Sequence, residues 1–251
     1  MGELENRVAL VTGAGVGIGR AIALCLAEAG AFVGVHFHNS QQEAKATLAE
    51  IRAAGGDGVL LRADLSDAAQ ATALVDKLVE QTQRMDILVN NAGDPLERVR
   101  IENCSRETWE KSLAVNLTGA FLVTQKAIAP LRESGNGSII NNLSLSVQTG
   151  GANGAGPYAI AKGGLQVMTR TLARELAPEV RTNAIMPGVI ETRHHERFTT
   201  PQRMEQYKNE TPMSRNGQAE EVAGTVLFLA SDAARFVNGA LLDINGGRFL
   251  R

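Results

Sequence analysis

Arg7-Val-Ala-Leu-Val-Thr-Gly-Ala-Gly-Val-Gly-Ile-Gly19 is the stretch on which the fold turns. Its first six residues form a short apolar run that stops at glycine and reads as a buried strand. From Gly17 onward, Ile18, Ala21, Ile22, Cys25, Leu26 and Ala29 recur at helical spacing, and Gly30 supplies a stop. The glycines permit positive φ and let backbone amides approach a ligand closely. The helix N-terminus that follows favours an anion through its free N–H groups and its dipole. A dinucleotide pyrophosphate suits both features, although such a turn also serves plain close packing. Gly13, Gly17 and Gly19 depart from the G-x-G-x-x-G spacing. No Lys-Ser/Thr pair ends the turn, which argues against a nucleotide-hydrolysing P-loop.

Strand and helix patterns keep alternating along the chain. Residues 31–37, 59–63, 87–90, 138–141, 180–186 and 240–244 read as further strands. Between them fall predicted helices over 41–54, 66–83, 106–133, 158–177 and 219–231, with Ser66 as the N-cap of the third helix of the chain. Seven strands and about six helices in alternation imply an α/β fold, a doubly wound parallel sheet with helices on both faces. Ligands of such sheets sit at the carboxyl ends of the strands. Two irregular segments, 147–157 and 189–217, follow strands and belong at that edge. No linker or repeat interrupts the pattern, so a single domain over 1–251 is expected.

Composition removes several classes. Lys and Arg number 25 against 27 Asp and Glu, a net charge of −2, which argues against a broad nucleic-acid or anionic-membrane footprint. No apolar run approaches the ~18 residues of a membrane span. Two cysteines make no disulfide framework and no C-x-x-C zinc site. The first residues are acidic and run straight into a strand, with no secretory signal, so a reducing cytoplasm is expected.

Val35-His-Phe-His-Asn-Ser40, at the end of the second strand, bears on the cofactor. An acid there accepts from ribose hydroxyls and repels a 2′-phosphate. Phe37 stands about where the acid would be, and no Asp or Glu follows before Glu43. His38, Asn39 and Ser40 can all donate to a phosphate. The stretch favours NADP(H), with NAD(H) left open because it holds no Arg or Lys. Tyr158-Ala-Ile-Ala-Lys162 puts a phenol and an ammonium on one helix face. One unit charge at ~4 Å and an effective ε of ~20 is worth about 4 kcal/mol, enough to move a tyrosine from ~10 toward ~7. Such a pair could make a general acid usable near neutral pH, although a Tyr-x-x-x-Lys spacing taken alone is more often a plain surface pair.

Thr12-Gly-Ala-Gly-Val-Gly-Ile-Gly19, Asn90-Asn-Ala-Gly93, Asn116, Ser144, Tyr158-x-x-x-Lys162 and Pro187-Gly188 stand in the order and approximate spacing of one family. Over about 7–247 the chain resembles the classical short-chain dehydrogenases/reductases, including those of the 3-oxoacyl-carrier-protein-reductase kind. The resemblance implies a Rossmann-type fold. It also implies an oxidoreductase that interconverts a carbonyl and a secondary alcohol by hydride transfer with a nicotinamide. Tyr158 would give or take the substrate proton, and Lys162 would lower its pKa and hold the nicotinamide ribose. Ser144 would hydrogen-bond the substrate oxygen, and Asn116 would hold a water linking Lys162 to solvent. Gly13, Gly17, Ile18 and Gly19 would form the pyrophosphate turn. Asp64 would meet the adenine amino group and Leu65 its ring. Asn90, Asn91, Ala92 and Gly93 would line the adenosine side and brace the fourth strand. Pro187, Gly188, Ile190 and Thr192 would embrace the carboxamide.

The family commonly places its serine about thirteen residues before the tyrosine, which here is Leu145. Ser144 and Ser146 flank it and would share one face of a strand. The spacing from Asn116 and the leading Gly137-Ser-Ile-Ile140 favour Ser144. Asn245 stands where the family often has Asp. Arg193-His-His-Glu-Arg197 falls in the substrate loop that the resemblance implies over about 189–217, as a solvated loop or as cations facing an anionic substrate. Cys25 reads as a core thiol and Cys104 as exposed; Trp109, Leu113, Leu117 and Phe121 read as a core or subunit-interface stripe. The resemblance further implies a cytoplasmic homotetramer acting on a small-molecule carbonyl or alcohol, with no metal. Three other readings stay open. They are a 3-oxoacyl-carrier-protein reductase, whose usual basic surface is weakened here by Ala177-Pro-Glu-Val180, a sugar, polyol or steroid dehydrogenase, and a non-catalytic nucleotide-binding protein.

Overall fold

The computed structural model describes residues 2–151, 154–192 and 199–250, and the basic 193–197 segment lies outside them. Seven strands form one sheet: β1 (Val8–Val11), β2 (Phe32–Phe37), β3 (Gly58–Arg62), β4 (Ile87–Asn90), β5 (Gly137–Asn142), β6 (Val180–Pro187) and β7 (Leu241–Ile244). Their order is β3-β2-β1-β4-β5-β6-β7, with every neighbouring pair parallel. Nine helices accompany them among the described residues: α1 (Gly17–Glu28), α2 (Gln41–Ala53), α3 (Ala68–Thr82), α4 (Arg106–Leu113), α5 (Gly119–Glu133), α6 (Ser146–Thr149), α7 (Gly156–Glu175), α8 (Pro201–Glu210) and α9 (Ala219–Ala230). The expected α/β architecture is present, and strand ends fall within about two residues of the sequence reading.

Alternation of side chains along β1 explains both faces of the sheet. Ala9 and Val11 pack with Ile22 and Leu26 of α1 and Val222 and Val226 of α9. Val8 and Leu10 pack with Leu74 and Leu78 of α3 and Val123 and Leu131 of α5. Every residue of β1, β4 and β5 is buried, as parallel strands covered on both faces require. Each large apolar side chain so enclosed contributes roughly 1.5–3 kcal/mol. The strand order reverses between β1 and β4, and this opens a crevice at their carboxyl ends.

Three local expectations are corrected. Ser66 does not cap α3; Asp67 does, its carboxylate accepting from the N–H groups of Ala69 and Gln70 at 2.9 and 3.1 Å. Ser66 stands one residue too early and instead donates through its N–H and hydroxyl to Asp64, at 2.9 and 2.7 Å. The 106–133 run is not one α-helix, because a π turn over Ala114–Thr118 separates α4 from α5. Such turns recur at functional sites, and Asn116 lies at its centre. Ser144 and Ser146 do not share a strand face, since β5 ends at Asn142 and Ser146 opens α6.

Candidate active site

The turn after β1 is shaped for a close ligand. Gly13 and Gly17 adopt φ of +66° and +55°. A Cβ added at Gly19 would lie 2.2 Å from the Gly13 carbonyl oxygen and 2.4 Å from Asn91 Nδ2, so no side chain fits there. Val16 precedes α1 and offers no side-chain cap, which leaves the helix N–H groups for an anion. Asn91 fixes the turn from β4: its Nδ2 donates to the carbonyls of Thr12 and Gly13 at 2.8 and 3.2 Å. A donor of matching role comes from β5, where Asn142 Nδ2 donates to Asn91 Oδ1 at 2.9 Å. Asn90 is a brace and stays off the cavity wall; its Nδ2 donates to Thr124 Oγ1 and Asn141 Oδ1 at 2.8 and 2.9 Å.

These groups open onto a cavity of about 670 Å³ along the carboxyl ends of the strands. Gly13, Gly17, Ile18 and Gly19 line it, as do His38, Asn39 and Ser40 beyond β2 and Asp64 and Leu65 beyond β3. Asn91, Ala92 and Gly93 line its middle, and Pro187, Gly188, Ile190 and Thr192 its far side. Phe37 turns away into the core at 4% exposure, so the end of β2 carries no carboxylate toward the cavity. His38 Nε2 stands 3.7 Å from Asp64 Oδ2, and the Ser66 hydroxyl holds the Asp64 carboxyl below its usual range.

Tyr158 and Lys162 share one face of α7, which Pro157 helps to start. The Ser144 side chain sits beside the Tyr158 hydroxyl, and both line the cavity. Ser144 Oγ accepts from the Ser146 N–H at 3.2 Å, whereas Ser146 Oγ is buried with no partner among the described residues. Lys162 is 2% exposed and donates from Nζ to the Asn142 carbonyl at 2.7 Å. Its amine sits 5.9 Å from the centre of the Tyr158 ring.

The ionisation of the pair departs from the expectation of a lowered tyrosine. Loss of solvent pushes Tyr158 up to about 12; the neighbouring Ser144 side chain lowers it only in part, and Asp94 raises it further. Burial pushes Lys162 down to about 8. One of the three ammonium donors goes to a backbone carbonyl, and at Tyr158 burial outweighs the lowering by Ser144.

Asn116 does not line the cavity. It lies behind it, accepting from the Asp94 N–H at 3.0 Å and donating to the Asp94 and Ser112 carbonyls at 2.8 and 3.0 Å. A Cβ added at Gly93 would be 2.8 Å from Asn116 Oδ1 and 3.0 Å from Lys162 Nζ, so the two approach each other across that glycine. Sequence reasoning missed His36, which holds the glycine turn, and Arg98, Arg203, Tyr207 and Arg248 on the cavity wall. The spacing Arg203-x-x-x-Tyr207 was the one available signal for part of that wall. Among the described residues no group of three His, Cys, Asp or Glu could hold a metal ion, and no helix is long and apolar enough to cross a membrane.

Comparison with known proteins adds an independent line. Residues 13–248 match the family model described as enoyl-(acyl-carrier-protein) reductase. An uncharacterised oxidoreductase of Methylorubrum extorquens is 41% identical over 250 residues, 98% of this chain and 99% of that protein. A 3-oxoacyl-[acyl-carrier-protein] reductase of Staphylococcus aureus is 37% identical over 246 residues, 98% of this chain and 99% of that one. Among solved structures, a 7α-hydroxysteroid dehydrogenase complexed with NADH and 7-oxoglycochenodeoxycholic acid superposes with a TM-score of 0.92 at 31% identity, over 97% of this chain and 94% of that chain.

Proposed function

Because the chain belongs to the short-chain dehydrogenase/reductase family of oxidoreductases, we propose that it interconverts a carbonyl and a secondary alcohol, prefers NADP(H), and uses Tyr158 as proton donor and acceptor. The observation that carries this reading is the meeting of Tyr158, Ser144 and the buried Lys162 amine in one cavity with the glycine turn. The nicotinamide, when bound, supplies or accepts the hydride. The chain's own residues do the rest. Gly17, Ile18 and Gly19 offer backbone N–H groups to the pyrophosphate in a turn that Gly13 shapes, and Asp64, Leu65, Asn91, Ala92 and Gly93 wall the adenosine. Pro187, Gly188, Ile190 and Thr192 face the carboxamide. A hydroxyl titrating near 12 keeps its proton at neutral pH, so Tyr158 can deliver it to an oxygen gaining negative charge. Ser144 donates to that same oxygen. Lys162 stays cationic below about 8, and Asn116 fixes the backbone next to it.

The NADP(H) preference is supported by the missing carboxylate at the end of β2 and by His38, Asn39 and Ser40 at the N-terminus of α2. The hydroxysteroid dehydrogenase is complexed with NADH, so both cofactors belong in the test. A cytoplasmic homotetramer completes the proposal; two half-buried free cysteines suit a reducing compartment. A second reading, reduction of a 3-oxoacyl group on a carrier protein, is favoured by the Staphylococcus aureus relative. Exposed Arg170 and Arg174 could meet an acidic carrier, but Glu175 and Glu179 stand exposed beside them.

The test is NADPH and NADH oxidation with ketones, diketones, 3-oxoacyl thioesters, sugars and steroids, with Tyr158→Phe as control. NADPH-dependent turnover is expected, lower by at least about 100-fold in the variant while dinucleotide binding persists. Reduction should hold up to about pH 8 and fall above it as Lys162 loses its charge. Faster turnover with NADH would overturn the cofactor preference. Undiminished turnover in Tyr158→Phe would remove the tyrosine from the chemistry. Dinucleotide binding with no turnover in either direction would favour a binding protein.

A further inference from the structure

Beyond Tyr158 the cavity reaches a cluster that proton and hydride transfer do not use. Arg203 and Tyr207 lie one turn apart on α8, Arg248 follows β7, and all three line the cavity. The guanidinium carbons of Arg203 and Arg248 lie 4.6 and 4.3 Å from the centre of the Tyr207 ring, so both cations stack on one phenol. Strand order separates this cluster from the phosphate-binding end. The glycine turn and His38 follow β1 and β2 on one side of β4, while the arginines lie beyond β6 and β7 on the other. Ser144 and Tyr158 stand between the two ends.

Both guanidinium groups line this far end of the cavity, one from α8 and one from the segment beyond β7. The Arg248 side chain is 16% exposed, and its Nη2 pairs with Glu210. Its Nη1 is buried with no partner among the described residues. Arg203 donates from Nη1 to Gln206 Oε1 at 2.6 Å, while its Nε is buried with no partner among the described residues. Asn245 anchors the backbone beneath Arg248, accepting from the Arg248 N–H at 3.1 Å and the Gly247 N–H at 3.0 Å. Glu210 is one acid against two cations, and Asp94 lies on the Tyr158 side of the cavity. Buried guanidinium donors without acceptors are costly, and a planar fork fits a carboxylate.

Resting on the reductase reading of this same cavity, we infer that the substrate is an oxo acid or hydroxy acid whose carboxylate is received by Arg248 and Arg203. The test pairs straight-chain oxo acids of increasing length with their methyl esters. In the unaltered protein kcat/KM should be at least about tenfold higher for acids, mostly through KM, and Arg248→Gln and Arg203→Gln should each shrink that ratio about tenfold or more. Arg248→Lys keeps the charge but not the fork and should fall between, which keeps the test valid if a glutamine variant folds poorly. Esters turned over as well as acids would overturn this inference and leave the reductase reading standing. If nothing in the panel reacts, the reductase reading is in question, and a melting-temperature shift decides the anion site alone. Stabilisation by D-gluconate but not by neutral sorbitol, lost in Arg248→Gln, would support it. Equal shifts from the two, or none, would overturn it.

Discussion

His36 lies inside a strand whose other residues pack apolar neighbours, yet it joins two segments of the cofactor edge. The Gly13 N–H donates to its Nδ1 at 3.0 Å, and its Nε2 faces the Ala63 carbonyl at 3.2 Å. Accepting at Nδ1 requires the neutral ring with its proton on Nε2. Burial pushes its pKa down to about 4, with the Ala63 carbonyl opposing in part. The sign of the pH dependence follows. Between ~6.5 and ~4 the unfolded chain binds the proton and the folded chain does not. Stability from this site is therefore complete above about 6.5 and is lost as pH falls toward 4, by about 3 kcal/mol. Urea unfolding at pH 7.5 and 4.5 should record that loss in the unaltered protein and a much smaller one in His36→Gln. The same loss in both would assign it to other groups. His36 was readable as a strand residue but not as a clamp, because its partners come from the β1 and β3 loops.

At the scale of elements, α1 and the turn before it work as one piece. Gly19 lets the first turn of α1 rest on the Gly13 carbonyl, where a methyl group would sit at 2.2 Å. Gly19→Ala is expected to destabilise the fold by about 1–3 kcal/mol and to weaken NADPH binding at least about tenfold. Denaturant unfolding and a fluorescence titration check the two separately; unchanged NADPH affinity would detach the turn from the cofactor. The apolar runs of β1 and β4 and the helical period of α1 made these elements legible from sequence, because burial on both sheet faces is written directly into composition. The π turn was not legible, since one extra residue in a turn barely disturbs the apolar period of the 106–133 run. The lift in the Tyr158 pKa was missed for a related reason. A pair spacing of four fixes a shared helix face, but not how far burial acts on the phenol. Arg203, Tyr207 and Arg248 converge only after α8 and the segment beyond β7 have been placed by the whole sheet.

For the whole molecule, the unburied apolar surface bears on the proposed tetramer. Leu117 packs against α7 so closely that a Cβ at Gly164 would lie 2.7 Å from it. One turn along α5 from Leu117, Phe121 is 45% exposed; about one turn either side of Gly164, Ile160 and Val167 are 48% and 62% exposed. Three large apolar side chains left open to solvent on α5 and α7 are the kind of surface that a second copy covers. A separate set, Phe228 on α9 with Phe236 and Leu250, is also open to solvent. Four copies with dihedral symmetry need two different isologous interfaces, and two separate apolar faces match that requirement. Placing a charge in one face should therefore yield dimers rather than monomers, because the other face still pairs. Sedimentation of the unaltered protein is expected to give four copies. Phe121→Glu combined with Val167→Glu should give two, with the far-ultraviolet circular dichroism of the fold retained. A monomeric unaltered protein, or a variant that still sediments as four copies, would rule out the α5–α7 face as the interface.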